Sequence, residues 1–594
     1  MKENSSNKKL FNWSFFLLLV AGIIAINVIS AYTNKRLDMT NDKRYSLAEG
    51  SIKFLENDSV YTGRMTIKIY LDGKLPAEVM QLRNAIEDKI KEFKQYTGRR
   101  LEYIFIDPNE GTDEEKRELH EQLFAQGKGI IPLEINYSKD AVDQKLLIWP
   151  GAIINYGSND VNIIQFMPGS ISGQPQMLES IYQNIENAVN NLEYNLISAM
   201  RKVVVEKRKT IAFLHGHGEL LIPETQRVRS LISPYYSIRD VEIGQQINAL
   251  DDIDGLIVAR PTKPIDVKDL FVIDQFVMRG GRLMAFLDAL EVNEDTLRKT
   301  GTTHAMRYST GMEKLMFDYG MKLNENLVMD AQCNLRIFPF TNNNVLPWYF
   351  NVLSTPTIHA ISKNVEPVSF KYVNEIQFIQ SVENVALSPI LTSSTNSTVT
   401  GLAPLVSLGM PLQYGYNPQF AADPTSDANK KCIAGIAEGV FASHFKTRIV
   451  DEYMNNPDAR FIKEGTQESK VVLVANGRFI QNAYDSMENK ATGEMMYRPQ
   501  AFNELRMDQD MARLKKMAFY GNQEFFQNLV DYTMGDNSVL DIRSRQIDIP
   551  KMDKNKVVEK AKTYKVVNIL IPSLIVIVLA IILNWRRKRV NTKK

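Results

Sequence analysis

The end of the chain constrains it most. Val566 to Leu583 reads VVNILIPSLIVIVLAIIL, eighteen residues without a formal charge, followed by Trp585 and the tail RRKRVNTKK. As a helix, Tyr564 to Trp585 would span about 31 Å, the thickness of a hydrocarbon core with an aromatic anchor at each face. Pro572 falls in the first turns, where its missing N–H costs no helical bond. Residues 566–585 are therefore expected to cross a membrane, and everything before them must fold beside one.

Trp13 to Tyr32, WSFFLLLVAGIIAINVISAY, is a second uncharged run, about 28 Å long as a helix. It reads as a retained span rather than a signal peptide, because the apolar run is long and Val28 with Ser30 makes a poor cleavage site. Two spans put both tails on one side and residues 33–565 on the other. The formal net charge is +2, of which residues 1–12 carry +2 and residues 585–594 carry +6, so the remainder stands at −6. Basic tails favour a cytoplasmic location for 1–12 and 586–594, with the body facing outward. Lys35, Arg36, Lys43 and Arg44, and the lysine-rich connector 551–565, pull the other way, although long translocated domains largely escape the charge rule. An acidic body excludes a nucleic-acid-binding role of the usual basic kind.

Between the anchors, residues 33–206 read as one α/β unit. Ser46 with Glu49 suggests a capping box opening a helix. MTIKIYL alternates like a strand, and Ala77 to about Tyr96 places Val79, Leu82, Ile86, Ile90 and Phe93 on one helical stripe. LEYIFID follows, so the two strands should be parallel across a right-handed crossover. A polar helix over 114–126 leads to LLIWP, AIINYG and VNIIQF, expected as antiparallel strands completing the sheet, and a long helix from about 176 to 205 closes it. The pattern is thioredoxin-like, without the CxxC of a redox enzyme.

Residues 207–550 read as a doubly wound, mostly parallel-sheet domain of flavodoxin-like or glutaminase-like kind. TIAFL, YSIRDVEI, GLIVARP and RLMAFLD alternate with helices at 226–231 and 267–278, and the sheet resumes at KVVLVANG. Residues 290–469 form a looser excursion, with a helix near 312–319 and strands at VSFKYVN and IAGIAEGVF. A helix is expected around 523–532 and a strand at SVLDIRSRQIDI.

The most site-like cluster is His215, His217 and Glu219, alternating in HGHGEL after the first of these strands. Gly216, His217, Gly218 and Glu219, with Asp288 at the end of RLMAFLD, sit where α/β sheets bind ligands, beyond the carboxyl ends of the strands. They are candidates for a ligand or partner contact. The bland alternative is a tight strand-to-helix turn, with Asp288 capping the turn after its strand. No HExxH or paired cysteines accompany them, so no metal or cofactor is assigned. Cys333 and Cys432 are the two cysteines, either free or bridged. There is no G-x-S-x-G elbow and no G-x-x-x-x-G-K-[ST] loop, so no catalytic residue is assigned and nucleotide would have to bind another subunit. Trp348 and Tyr349 are either an exposed contact patch or core.

The ordered set RYSLAEGS, IYLDGKLP, IDP, LEYNLISAM, GHGEL, DQFVMRGGRLMAFLD and YGNQEFFQNLVDY, closed by a final span, resembles the GldG family. That family is the gliding-motility-associated component of an ABC transporter, usually labelled its substrate-binding protein. The resemblance implies a periplasmic α/β body tied to the inner membrane at both ends, working with a separate permease and a cytoplasmic ATPase in gliding motility and associated protein secretion. It leaves a homo-oligomer within the complex open and offers no catalytic residue. Two other classes compete with it. A membrane-tethered hydrolase or amidotransferase-like enzyme requires a Ser or Cys beside a His in space; a passive envelope scaffold requires full function without His217.

Overall fold

The computed structural model describes residues 46–57, 63–124, 129–139, 142–157, 160–167, 176–177, 181–204, 209–307, 309–338, 344–363, 365–380, 383–447, 461–488, 495–499 and 520–535, together with Leu540 and parts of 17–25 and 570–589. They fall in two compact units, Met1–Asp38 with Tyr45–Arg545, and Met39–Arg44 with Gln546–Lys594.

The first unit opens on α1 (Glu49–Glu56). The expected capping box is not formed: the N-cap is Ala48, without a side-chain cap, and Glu49 pairs with Lys53. The Ala48 N–H and the Ser51 hydroxyl instead donate to Glu193 Oε1 at 2.7 and 2.6 Å. A carboxylate buried from a distant helix needs donors more than a solvent-facing one does.

β1 (Met65–Ile69), α2 (Ala77–Thr97) and β2 (Leu101–Phe105) form the expected parallel crossover, with Met65 opposite Leu101. Val79, Leu82, Ile86, Ile90 and Phe93 are all fully buried, as their spacing requires. The polar helix is α3 (Asp113–Phe124), and it is followed by a strand that the sequence reading missed, β3 (Leu133–Lys139). β3 pairs with β4 (Val142–Ile148). The chain then turns, the Gly151 N–H donating to the Trp149 carbonyl at 2.8 Å, and β5 (Gly151–Tyr156) runs antiparallel to both β1 and β6 (Asp160–Gln165). The main sheet has the order β2-β1-β5-β6. LLIWP therefore does not join it: β4 belongs to a separate sheet, β4-β3-β7, where β7 is Gln176–Met177. The turn at Pro150 and Gly151 switches sheets. The long helix expected over 176–205 is also divided, into α4 (Tyr182–Asn190) and α5 (Leu192–Val204). They meet at Asn191, whose N–H and side chain both bond back to the Asn187 carbonyl, at 3.1 and 2.9 Å.

The larger sheet begins with β8 (Thr210–His215), α6 (Ile222–Ile232), β9 (Ser237–Glu242), β10 (Gly255–Ala259), α7 (Val267–Met278) and β11 (Arg282–Phe286). After the short helix α8 (Met312–Asp318), the excursion adds β12 (Met321–Leu323), β13 (Ile376–Phe378), β14 (Val385–Thr392) and β15 (Cys432–Gly439). β16 (Ser469–Val474) and α9 (Asn522–Thr533) complete the domain. The path is β12-β13-β15-β16-β11-β10-β8-β9. Parallel pairing joins β9, β8, β10, β11 and β16. β15 pairs antiparallel to β16, and β12, β13 and β14 continue antiparallel beyond it. The sheet is thus parallel on one side only, because the excursion folds back to extend it. All of β10 is buried, as is α7 from Asp269 to Met278, as expected for elements with apolar partners all round.

VSFKYVN is not a strand. Ser369 makes an isolated bridge to Leu353, Tyr372 has φ 56°, and the regular strand starts only at Ile376. Backbone bonds to the neighbouring strand persist, the Phe370 and Tyr372 N–H groups donating to the Val352 and Phe350 carbonyls at 2.9 Å, but the Ser369 N–H turns to Asn522 Oδ1 and Asn374 Oδ1 accepts the Ala289 N–H. The expected strand over 538–549 lies outside the described residues except for Leu540, which is helical and buried.

In the second unit, residues 570–572, 580–586, 588 and 589 are helical where described, and Leu570, Ile571, Ile577, Ile581, Leu583 and Trp585 are exposed. Among the described residues no helix is long and apolar enough to cross a membrane. Most of 13–32, and much of 566–585 including 566–569, lie outside the described residues, as do 1–12 and 551–565.

Candidate functional site

β8 lies between β9 and β10, so the chain leaves β8 first to one side and then to the other. The carboxyl ends of β8 and β10 form the topological switch point, the usual ligand crevice of such sheets. The GHGEL turn emerges there. Gly216 has φ 116° and Gly218 φ 75°, backbone that favours glycine. A Cβ on Gly218 would lie 2.2 Å from Thr262 Oγ1, so the β10 loop sits directly against this turn.

His217 holds the crevice closed. Its carbonyl accepts the N–H groups of Thr262 and Lys263 at 3.0 and 2.9 Å, and the Thr262 hydroxyl donates to the Gly218 carbonyl at 3.0 Å. The ring lies between two carboxylates: Nδ1 is 3.1 Å from Glu219 Oε1, and Nε2 is 3.1 Å from Asp269 Oδ2. The other oxygens are used as well. Glu219 Oε2 accepts the His217 N–H at 2.7 Å and Asp269 Oδ1 accepts the Gln245 N–H at 2.7 Å. All three side chains are buried. Two acceptors facing the two ring nitrogens call for a proton on each, and the hydrogen bond to Glu219 does most to raise the His217 pKa, against the opposing cost of burial, with the Glu219 charge and then Asp269 adding to it. The result is an imidazolium joining the loops after β8 and β9 to the first turn of α7, where Asp269 also gains from the helix dipole.

The neighbouring His215 is engaged separately. Its Nε2 lies 2.7 Å from Asp240 Oδ1 on β9, and Arg229 of α6 grips the same carboxylate with both terminal nitrogens, at 2.5 and 3.2 Å. Asp288 belongs to another cluster, two strands along at the end of β11. It accepts the Gly477 N–H at 2.7 Å and lies 3.6 Å from Arg260 Nε. Arg260 and Arg478 share Glu291. Burial pushes the Asp288 carboxyl up, against the pull of the Gly477 N–H and the two arginines. Asp288 thus ties the end of β11 to the loop after β16.

Sequence reasoning placed Gly216, His217, Gly218 and Glu219 together and missed Asp269. It also missed Asp274, further along α7, which is fully buried and accepts from Tyr319 Oη at 2.9 Å, Ser443 Oγ at 2.6 Å and the His444 N–H at 2.9 Å. That network docks the excursion onto the sheet domain. Ser443 and His444 are adjacent, yet the hydroxyl serves Asp274 while the ring turns to Asp318 at 2.5 Å. Cys333 and Cys432 are free, and burial pushes each thiol up to about 12, which leaves them protonated at neutral pH. Trp348 and Tyr349 are fully buried in a secondary core with Phe338 and Phe350, so they form no exposed patch. Among the described residues no group of His, Cys, Asp and Glu is arranged to hold a metal ion.

A doubly wound sheet whose switch point is filled by its own hydrogen bonds defines an α/β protein built to hold its crevice loops together. The chain belongs to the family described as an ABC-type uncharacterized transport system, which matches residues 208–511, just over half its length, and makes it an auxiliary component of an ABC transporter. Residues 41–155 match a domain of unknown function. No curated protein matches the chain. Among solved structures, the N-terminal domain of mmIFT52 is similar at 10% identity over 55% of this chain and 98% of that one, with a TM-score of 0.31, too loose a superposition to carry an argument.

Proposed function

We propose that this protein is a non-enzymatic, membrane-anchored subunit of an ABC transporter of the GldG kind, serving gliding motility and the associated protein secretion. The family match over 208–511 is the observation that carries the reading. The body lies in the periplasm. Helices over 13–32 and 566–585 hold it to the inner membrane and contact the permease, and a separate cytoplasmic ATPase supplies the P-loop that is missing from this sequence. Support for the C-terminal anchor comes from its uncharged sequence and from the exposed apolar side chains of its helical residues. The β2-β1-β5-β6 order, with a parallel crossover followed by an antiparallel pair, supports a thioredoxin-like N-terminal unit. The self-satisfied His217 cluster supports a structural role at the switch point rather than chemistry. Deleting residues 566–594 while retaining the first anchor is expected to abolish co-purification with the permease; unchanged co-purification refutes the reading.

A further inference from the structure

The second unit ends in a feature that an anchor alone does not require. Helix continues past Trp585 through Arg586 and on at Lys588 and Arg589. At 100° per residue these three cations lie on three sides of a single turn. They therefore form a collar within about 4.5 Å along the axis, immediately beyond the apolar run. The Arg589 guanidinium lies 3.8 Å from the centroid of the Trp585 ring, one turn earlier. This cation–π contact holds the guanidinium level with the indole, the side chain that settles among lipid headgroups. Val566 to Lys594 contains six cations and no Asp or Glu.

We propose that this collar is a binding site for anionic phospholipid headgroups, with Arg586 and Arg589 taking phosphate oxygens in pairs and Lys588 adding a point charge. The inference rests on the reading of 566–585 as a membrane anchor. Its chemistry is charge complementarity: one helical turn gathers three cations within about 4.5 Å along the axis, the thickness of a headgroup layer, where an extended tail would spread them. Each cation near an anionic surface is worth about fivefold in affinity. Neutralising three of them should therefore weaken the lipid preference about 100-fold.

The test uses the full chain. It is floated with phosphatidylcholine vesicles, then reconstituted in phosphatidylcholine bilayers containing a small fraction of phosphatidylglycerol. Lipids retained on extraction are counted by native mass spectrometry. Phosphatidylglycerol is expected to be enriched at least about tenfold over its share of the bilayer, to return to that share in R586Q/K588Q/R589Q, and to be lost at high salt. Flotation with no enrichment overturns the collar and leaves the anchor standing, whereas failure to float overturns both. Enrichment that persists in the triple variant also overturns it. So does inorganic phosphate that competes at concentrations comparable with the lipid, because the site would then recognise a free anion.

Discussion

Replacing His217 with alanine removes the cation that two buried carboxylates share. Glu219 and Asp269 are 7% and 4% exposed. Removing one partner from a buried pair costs about 3–5 kcal/mol. The lower end applies here, because Glu219 keeps a backbone N–H at residue 217 and Asp269 keeps that of Gln245. A loss of about 3 kcal/mol in a domain of this size lowers its melting temperature by about 4 °C. The pH dependence follows from the raised pKa of His217. Its contribution is complete below the unfolded value of about 6.5 and is lost as pH rises through the higher folded value. The gap between the two proteins should therefore be widest near pH 6 and shrink towards pH 9. Hydrogen exchange of the β8, β10 and α7 amides in increasing urea, at both pH values on the detergent-purified chain, measures that gap within this domain without assuming that the whole chain unfolds in one step. A gap below about 1 kcal/mol that does not change with pH would refute the account of His217 as a charged link.

Gly218→Ala places a side chain at φ 75° and 2.2 Å from Thr262 Oγ1, so a loss of about 2–4 kcal/mol in the same assay is expected, partly recovered in G218A/T262A. Asp274→Asn gives the Tyr319, Ser443 and His444 donors one good acceptor in place of two, and should cost about 2–3 kcal/mol while opening residues 290–469 to limited proteolysis. Cys333 and Cys432 should resist iodoacetamide at pH 7 until the chain unfolds, read as mass added per molecule, because burial raises both thiols to about 12.

Wherever one local period dominated, the fold was legible. The stripe from Val79 to Phe93 and the apolar strands β8, β10 and β11 lie where their spacing puts them. Errors arose where a distant partner outbid a local pattern. Ser46 and Glu49 have the spacing of a capping box, but Glu193, 142 positions from Ser51, takes the donors of that turn. VSFKYVN alternates like a strand, and Phe370 and Tyr372 do bond to Val352 and Phe350, yet Tyr372 turns to φ 56° and Ser369 and Asn374 are tied to Asn522 and Ala289. The candidate site divides in the same way. Glycines bracketing a histidine after an apolar strand mark the turn, whereas Asp269 stands 52 positions from His217 in a helix start that looks ordinary. Only the crossover of the sheet brings it near.

Asp269 and Asp274 are five residues apart on α7, about 7.5 Å along its axis. One is fastened to the imidazolium at the mouth of the sheet, the other to Tyr319, Ser443 and His444 of the inserted segment. The helix thus acts as an axle with a spoke at each of two stations. Anything that pulls on the insertion therefore loads the same helix that fastens the glycine turn.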